Sequence, residues 1–210
     1  TVNTFFTGMS NGGELCYLLA CEVPNVFRAF APVAGTIFPN GLTNNICSPT
    51  LPVPIFETHG RNDNVTLIEG DPFDQYWGPY LGIDTIINFW VDHNSLTDLI
   101  VDTFANLNNN NKITISYKYS APTTNNEVWL YTHKSGHNWG DDGDVVIEEE
   151  IWDFFSKMSL NQPAFMQENN QASTLIKSID ILGRKSTEKQ NSLLFYIYDD
   201  GKVEKKIILE

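Results

Sequence analysis

The chain has 210 residues, enough for one domain of ordinary size with a small appendage. Its 26 acidic residues outnumber its 13 lysines and arginines, so the formal net charge is −13 at pH 7. A charge of this size repels phosphate backbones and anionic lipid surfaces, which argues against a nucleic-acid partner. No apolar run approaches the roughly 20 residues needed to cross a bilayer, so no membrane anchor is expected.

The N-terminus and the cysteines bear on where the protein works. The first residues lack the basic, apolar and small-residue order of a signal peptide. The chain starts at Thr1 rather than at Met, and a strand begins within a few residues, so we expect the natural gene product to start further upstream. Three cysteines, Cys16, Cys21 and Cys47, are too few for a disulfide scaffold and leave the compartment open.

The first 160 residues alternate between strand and helix patterns. In chain order, the sequence predicts a strand at 2–7, a helix at 14–22, strands at 28–34 and 53–58, a helix at 82–93, strands at 113–119 and 127–133, and a helix at 145–158. Apolar runs such as 28–34 and 53–58 suit strands that are buried on both faces of a parallel sheet. The alternation therefore predicts an α/β fold in which helices sandwich the sheet.

The last 50 residues have a different composition. Residues 161–173 are rich in Gln, Asn and Ala, which is typical of a linker. Beyond them, residues 175–182, 193–198 and 203–209 read as three short strands. The predicted organisation is a main domain at 1–160, a linker at 161–173 and a small β module at 174–210.

Gly8-Met9-Ser10-Asn11-Gly12 matches the G-x-S-x-G pattern of a nucleophile elbow, in which a serine projects from a strained turn between a strand and a helix. A serine hydroxyl is a weak nucleophile at neutral pH, so it must reach a base. Such a turn brings backbone too close for side chains at the flanking positions, which explains the glycines. We predict that Ser10 is the nucleophile and that the Asn11 backbone N–H is an oxyanion donor. The alternative is a structural Gly/Ser turn.

A base and an acid are expected after Ser10 in the chain, each in a loop that follows a strand. His137 follows the last large strand and is the predicted base, whereas His59 and His93 read as structural or surface residues and His133 lies within its strand. Asp63 follows a buried strand and is the predicted acid, because a carboxylate there can orient the imidazole. Its alternative role is to cap a turn.

Aromatic residues cluster near both predicted loops. Tyr76 and Trp77, together with Phe73 and Tyr80, follow Asp63, and Trp139 neighbours His137. Flat apolar side chains at the mouth of a site suit an aryl group or a polyester chain. We therefore predict that Tyr76, Trp77 and Trp139 bind substrate, with packing in the core as the alternative.

Several short motifs occur in one order along residues 2–158 and resemble those of the polyhydroxybutyrate depolymerase and feruloyl esterase family. They are Thr7-Gly8-Met9-Ser10-Asn11-Gly12-Gly13, Leu19-Ala20-Cys21-Glu22, Ala31-Pro32-Val33-Ala34-Gly35, Cys47-Ser48-Pro49, Pro52-Val53-Pro54, His59-Gly60 with Asp63, Glu69-Gly70, Gly136-His137 with Trp139, and Ile151-Trp152-Asp153-Phe154-Phe155. One departure is that Gly140-Asp141-Asp142 follows Trp139, where the family usually continues with Pro-Gly.

This resemblance implies an α/β-hydrolase fold from which the N-terminal strands are missing, because that fold has several strands before the elbow and here only seven residues precede Gly8. It also implies that Ser10, Asp63 and His137 form a catalytic triad and that Cys21 pairs with Cys47. The implied activity is hydrolysis of carboxylic esters through an acyl-enzyme, which requires no metal and no cofactor.

The C-terminal strands resemble a short form of the C-terminal sorting domain of type IX secretion. The matching segments are Ile179-Asp180-Ile181-Leu182-Gly183-Arg184, Tyr196-Ile197-Tyr198-Asp199-Asp200-Gly201 and Val203-Glu204-Lys205-Lys206. The resemblance implies that the type IX machinery is a partner and that the protein is secreted, to the medium or to the cell surface. The alternative is a β appendage that binds substrate or packs on the main domain.

The sequence thus leads to the expectation of a secreted serine esterase. Its substrate would be a polyhydroxyalkanoate-type polyester or a feruloyl or other aryl ester. Two alternatives stay open, a peptidase on the same fold and a catalytically silent secreted binding protein.

Overall fold

The computed structural model describes residues 3–43, 47–104, 113–140, 145–159, 174–180, 184–186, 192–199 and 203–208. The chain divides into two compact units, Thr1–Leu160 and Asn161–Glu210. The predicted linker at 161–173, and the ends of the predicted C-terminal strands at 181–182 and 209, lie outside the described residues. Within the described part of the chain, no helix has both the length and the apolar character needed to span a bilayer.

The first unit is built on one large sheet with helices beside it. Its elements follow in the order β1 (Phe5–Met9), α1 (Asn11–Glu22), β2 (Ala29–Val33), α2 (Pro39–Thr43), β3 (Ile55–Gly60), β4 (Gly70–Asp71), β5 (Tyr80–Leu81), α3 (Ile83–His93), β6 (Asp98–Thr103), β7 (Ile115–Ala121), β8 (Thr124–His133) and α4 (Ile147–Met158). The six-stranded sheet has the order β1-β2-β3-β8-β7-β6, and β4 pairs with β5 in a separate two-stranded ribbon.

The sheet is mixed. β1 is parallel to β2, β2 to β3, and β3 to β8, so four neighbouring strands run in one direction. β7 is antiparallel to β8, and β6 is antiparallel to β7. The carboxyl ends of β1, β2, β3 and β8 therefore lie at one edge of the sheet.

The expectation of an α/β-hydrolase fold is wrong. Strands take up 36% of the described residues and helices only 24%. The sheet is mixed, whereas the expected fold has a largely parallel sheet flanked by many helices. Only Pro122 and Thr123 separate β7 from β8. Two residues suffice for an antiparallel hairpin, whereas a parallel connection needs about a dozen residues or more. The first unit is a mixed six-stranded sheet with a few short helices, and small antiparallel sheets complete the described fold.

Two apolar clusters cover the two faces of the sheet. On one face, Tyr17 of α1 and Trp90 of α3 pack with Ile55 of β3. On the other face, Phe154 of α4 packs with Phe56 of β3. Consecutive residues of β3 face opposite clusters because side chains alternate along a strand. Burying apolar side chains of this size contributes about 1.5–3 kcal/mol each.

The helices that cover the sheet follow the apolar periodicity of the sequence. In α3 the buried residues are Ile83, Ile86, Ile87 and Trp90, at the three- and four-residue spacing of one helix face. α4 buries Ile147, Ile151, Phe154, Phe155 and Met158 in the same way. The helices predicted at 82–93 and 145–158 are therefore confirmed to within two residues.

The second unit contains a three-stranded antiparallel sheet. Its strands are β9 (Leu175–Ile179), β10 (Ser192–Tyr198) and β11 (Val203–Ile208), in the order β11-β10-β9. β10 is central and is antiparallel to both neighbours. Across the strands, the Tyr198 hydroxyl donates to Glu204 Oε2 at 2.9 Å, and Lys206 Nζ lies 4.6 Å from the centre of the Tyr196 ring.

Candidate active site

Three of the predicted site residues follow strands of the parallel part of the sheet. Ser10 comes directly after β1, Asp63 follows β3, and His137 follows β8. Because these strands run in the same direction, their following loops meet at one edge, where open sheets of this kind bind ligands. β3 and β8 are neighbours, so the loops with Asp63 and His137 are adjacent.

The turn at Ser10 is strained in the way a nucleophile elbow requires. Ser10 has φ 57° and ψ −119°, a positive φ that a residue with a side chain rarely adopts. Holding such a conformation costs on the order of 1–3 kcal/mol, so the surrounding structure must impose it. The Ser10 N–H donates to the Val33 carbonyl at 2.9 Å, and the Glu14 N–H donates to the Ser10 carbonyl at 2.9 Å. A Cβ on Gly8 would meet the Gly12 backbone at 2.7 Å, so glycine is required there.

The helix that follows Ser10 supplies the predicted oxyanion donor. α1 begins at Asn11, immediately after the strained turn. The first N–H groups of a helix lack intrahelical acceptors, and the helix dipole makes this end favourable for negative charge. The Asn11 N–H therefore lies where the nucleophile-elbow pattern predicts it, at the start of a helix beside the serine.

Asp63 is held in place by its own loop. Its side chain is fully buried. Oδ1 accepts the Val65 N–H at 2.8 Å and the Thr66 N–H at 2.9 Å, which fixes the orientation of the carboxylate. The turn-capping role that the sequence left open is thus real, but it occupies only one of the two carboxylate oxygens.

The second oxygen of Asp63 contacts His137. Asp63 Oδ2 lies 2.7 Å from His137 Nδ1, and the His137 side chain is 16% exposed. A carboxylate at Nδ1 orients the ring and selects the tautomer with its proton on that nitrogen. Nε2 is then the nitrogen that can accept a proton. The structure therefore brings the predicted acid and the predicted base together.

A close backbone contact joins the two loops. A Cβ on Gly60, the last residue of β3, would lie 2.4 Å from the Gly136 carbonyl oxygen and 2.5 Å from that of Ser135. Main-chain hydrogen bonds run from Arg61 to His133 at 2.7 Å and from Asn62 to Ser135 at 3.1 Å. Several main-chain contacts thus join the loop of the predicted acid to the loop of the predicted base. They hold the backbone of the Asp63 loop next to that of the His137 loop.

Ser10 shares a small cavity with the loop of Asp63. Val65, Thr66, Trp77 and Tyr80 line this cavity together with Ser10. No hydrogen bond joins Ser10 Oγ to the His137 ring in the described part of the chain. The described structure therefore brings Asp63 and His137 together but shows no contact between Ser10 and this pair. Catalytic hydrogen bonds are often long without substrate and tighten when it binds.

A larger apolar cavity adjoins the one at Ser10. Its volume is about 360 Å³, and it runs along α1 between Leu15, Leu18 and Ile37. Asn11 and Phe38 line both cavities. The surroundings of Ser10 can therefore accommodate an apolar group next to a reacting carbonyl.

The predicted substrate-binding residues occupy different environments. Trp77 lines the cavity at Ser10 and is 57% exposed, and the neighbouring Tyr76 is 90% exposed. Their loop is ordered by Asp74, whose Oδ1 accepts the Tyr76 N–H at 2.9 Å and the Trp77 N–H at 2.6 Å. Trp139 is half-buried and packs against the α4 side of the core. Tyr76 and Trp77 are thus accessible to a ligand, whereas Trp139 contributes to packing.

A buried polar cluster beside Asp63 was missed by sequence reasoning. Glu57 and His59 in β3 have fully buried side chains, and the Tyr17 hydroxyl donates to Glu57 Oε2 at 2.9 Å. Glu57 and His59 are two positions apart in a strand, so they share a face. Two ionisable residues on one face of an otherwise apolar strand were the signal that could have identified them.

The disulfide implied by the resemblance is present. Cys21 at the end of α1 is bonded to Cys47, which precedes β3, at a sequence separation of 26. Cys16 is free and buried. Burial, with a smaller contribution from the charge of Glu57, raises the pKa of Cys16 to about 12, so its thiol stays protonated at neutral pH. Cys16 is therefore a core residue rather than a reactive one.

Comparison with known proteins does not add to this geometry. No protein-family model matches the chain, and no curated protein matches it. The functional assignment consequently rests on the residues described above.

Proposed function

We propose that the chain is a serine esterase that hydrolyses carboxylic esters with Ser10 as nucleophile, His137 as base and Asp63 as the acid that orients it. The observation that carries the proposal is the 2.7 Å contact between Asp63 Oδ2 and His137 Nδ1. It supports this assignment because the chain order expected of a triad independently predicts both residues together with a serine. The strained φ of Ser10 is the second support.

The mechanism is acyl transfer in two steps. Ser10 Oγ attacks the ester carbonyl while His137 Nε2 takes the hydroxyl proton, and the Asn11 N–H donates to the oxyanion. Collapse of the tetrahedral intermediate breaks the bond to the alcohol, which leaves with the proton from His137. A water molecule then gives a proton to His137 and attacks the acyl-enzyme, and the carboxylic acid is released as Ser10 recovers its proton. Asp63 stabilises the imidazolium in both steps.

The substrate class that we propose is a polyhydroxyalkanoate-type polyester or a feruloyl or other aryl ester. The exposed aromatic side chains of Tyr76 and Trp77 support it, because flat apolar surfaces hold such groups. The apolar cavity along α1 also supports it, since it adjoins the cavity at Ser10.

We also propose that the protein is secreted and that residues 174–210 are its type IX sorting module. A disulfide is compatible with an oxidising compartment, and this is the observation that supports secretion. In a bacterium with a type IX system, and with an N-terminal export signal peptide added to both chains, the full chain is expected outside the cell, and a chain that ends at residue 160 is expected to stay in the periplasm. Equal export of both chains would contradict the sorting role.

The esterase proposal is tested with a short p-nitrophenyl ester and with a fluorophosphonate that modifies activated serines. The wild-type chain should hydrolyse the ester and gain one phosphonyl group by mass spectrometry. Ser10→Ala should lose both properties, with a rate at least about 10³-fold lower. Ser156→Ala is the matched control, because Ser156 is an exposed serine on α4.

The outcomes separate the alternatives. A rate that is unchanged in Ser10→Ala contradicts the proposal and favours a catalytically silent binding protein. Faster hydrolysis of the matched p-nitroanilide than of the ester favours a peptidase with the same three residues.

A further inference from the structure

The apolar cavity along α1 shares part of its lining with the cavity at Ser10. Asn11, Glu14, Thr36 and Phe38 line both cavities. The larger one has a volume of about 360 Å³, which is within the range of pockets that bind small molecules. The esterase mechanism described above assigns no part of the substrate to it.

One face of α1 forms a wall of this larger cavity. Asn11, Leu15, Leu18 and Glu22 line it at the three- and four-residue spacing of a helix face. A helix rises about 1.5 Å per residue, so this wall extends about 10 Å from Asn11 to Leu18. The cavity therefore begins at the predicted oxyanion donor and leads away from Ser10 along the helix.

The lining of the cavity is apolar and is partly held by a covalent bond. Leu15 and Leu18 are 42% and 54% exposed, and Ile37 adds to the lining from the segment after β2. The disulfide between Cys21 and Cys47 also lines the cavity and joins α1 to the segment before β3. Apolar surface is thus open to a ligand between two parts of the chain that cannot move far apart.

We propose that this cavity binds the acyl chain of the ester, as an unbranched and uncharged aliphatic chain of about eight carbons. The inference rests on the proposed function, since it places the chain relative to a carbonyl held between Ser10 and the Asn11 N–H. An extended chain advances about 1.2 Å per bond, so about eight bonds span the distance from Asn11 to Leu18. Glu22 lies one helical turn further, so the apolar part of the wall ends after Leu18.

The acyl part of the substrate fits this cavity better than the alcohol part. The acyl chain stays attached to Ser10 through both steps of the reaction, whereas the alcohol must leave before water attacks. Among the described residues, Trp77 lines the cavity at Ser10 and not the one along α1. The exposed aromatic side chains are therefore available to the other part of a polyester or aryl ester.

Glu14 gives the cavity a charge preference. Its side chain is half-buried where the two cavities meet. The Glu14 carboxylate repels an acyl chain that ends in a carboxylate of its own, and Glu22 adds to this repulsion. Burial raises the pKa of Glu14, so substrates are compared at pH 8, where the carboxyl group is ionised.

The first test is the dependence of kcat/KM on acyl length, with p-nitrophenyl esters from acetate to octanoate. Full burial of a methylene group corresponds to about a 4-fold gain, so a chain covered on one side should gain about 2-fold per methylene. A kcat/KM that does not rise with acyl length in the wild type would overturn the proposal, and this measurement needs no variant.

A larger side chain at position 18 tests where the acyl chain lies. In Leu18→Trp, the ratio of kcat/KM for octanoate to that for acetate should fall by at least about 10-fold, because the indole fills the space of the last carbons. Leu99→Trp is the matched control, since Leu99 is 48% exposed on β6 and lines neither cavity. Equal ratios in both variants would contradict the placement of the chain along α1.

The alcohol part is tested with acetate esters of progressively longer alcohols. Their kcat/KM should not rise with the length of the alcohol in the way that it rises with the length of the acyl chain. A rise with alcohol length alone would overturn the acyl assignment.

The charge preference is tested with a p-nitrophenyl ester of hexanedioic acid that keeps one free carboxylate. At pH 8 its kcat/KM should be about 10-fold below that of the hexanoate ester. Glu14→Gln should reduce this difference, whereas Glu149→Gln, at an exposed position on α4, should not. A difference that is unchanged in Glu14→Gln would overturn the charge preference.

Binding is also measured without hydrolysis, with methyl heptyl ketone, which carries the alkyl chain of octanoate. NMR of the ¹⁵N-labelled full chain should show shifts of the Leu15 and Leu18 amides on titration. In Leu18→Trp the Kd should rise by at least about 10-fold, and in Leu99→Trp it should stay at the wild-type value. Absence of shifts along α1 in the wild type would overturn the proposal.

The two proposals fail in different ways. Absence of Ser10-dependent hydrolysis would refute the esterase, yet the ketone titration would still report whether the cavity along α1 binds an alkyl chain. Ser10-dependent hydrolysis with no dependence on acyl length would refute the role of the cavity alone.

Discussion

The two carboxylate oxygens of Asp63 have different partners, one in its own loop and one in the predicted base. One oxygen accepts the N–H groups of Val65 and Thr66, and the other contacts His137. A neutral amide could keep the first set of contacts through its one oxygen, but it would then turn its NH2 group toward His137 and could not stabilise an imidazolium. The proposed mechanism therefore depends on the charge of this side chain as well as on its shape.

Asp63→Asn should lower kcat by about 10³–10⁴-fold, because an amide at this position favours the wrong tautomer of His137. The measurement is kcat for a p-nitrophenyl ester at saturating concentration. Asp71→Asn is the control, since Asp71 also accepts a backbone N–H, that of Phe73, in the same long loop. Comparable losses in both variants would show that a loop defect, and not the charge of Asp63, is responsible.

Trp77→Ala should raise KM for aryl or oligomeric esters by roughly 5–10-fold and leave KM for short alkyl esters nearly unchanged. Loss of one stacking contact accounts for about 0.5–1.5 kcal/mol. KM is measured for both ester classes, with Trp152→Ala as the control because Trp152 is similarly exposed, at 65%, but lies on α4. An equal rise of KM for both classes would contradict a role in recognising the aromatic or polymeric part.

At the scale of elements, the contact between the ends of β3 and β8 sets the geometry of the acid and the base. Gly60 lies where any side chain would meet the backbone of the neighbouring loop. A side chain there cannot be accommodated by a change of rotamer, because the obstructing atoms are main-chain carbonyl oxygens. A side chain at position 60 would push the two loops apart and so lengthen the distance between Asp63 and His137.

Gly60→Ala should destabilise the folded state by about 1–3 kcal/mol and reduce kcat, because the two loops must separate to admit a methyl group. Chemical denaturation and the ester assay measure the two effects. Gly12→Ala is the control, because a Cβ there meets nothing within 4 Å. Alanine inside a helix is favoured over glycine by about 0.5–1 kcal/mol. Destabilisation of both variants to the same extent would contradict the backbone-contact explanation.

The sequence predicted individual elements better than their assembly. Periodicity located α3 and α4, because one buried face suffices to define a helix. It could not reveal that β7 and β8 form a hairpin, since apolar strands look alike whichever direction they run. The expected α/β-hydrolase fold failed on this point.

For the candidate site, too, local features were predicted better than long-range contacts. Turn chemistry and chain order predicted Ser10, Asp63 and His137, and the structure places Asp63 beside His137. The buried contacts of Glu57 and His59 could not be predicted. They depend on the packing of α1 over β3 and on the loop that brings the Thr66 carbonyl to His59. Such contacts are between residues far apart in sequence.

At the scale of the whole molecule, the disulfide links the end of α1 to the segment before β3. Closing a loop of 26 residues restricts the unfolded chain, which stabilises the folded state by about 3 kcal/mol in the chain-entropy model. The bond thereby ties the helix that follows Ser10 to the strand that precedes Asp63.

Cys21→Ser with Cys47→Ser should therefore lower the free energy of unfolding by about 2–4 kcal/mol, measured by urea denaturation. Cys16→Ser, in which the bond is intact, is the comparison variant. Thiol titration should detect no reactive group in the native wild type at pH 8 and one after denaturation without reductant. Three thiols after denaturation would show that the bond does not form.

The order of strands in the large sheet gives the two parts of the candidate site different kinetic stability. Among the described strands, β1 pairs only with β2, whereas β3 and β8 each lie between two partners. Amides of β3 and β8 should therefore show higher protection factors in hydrogen exchange than amides of β1, and the reverse order would contradict this. In the proposed esterase, transient opening of β1 displaces Ser10 while Asp63 and His137 stay in contact, so we expect activity to be lost and regained without global unfolding.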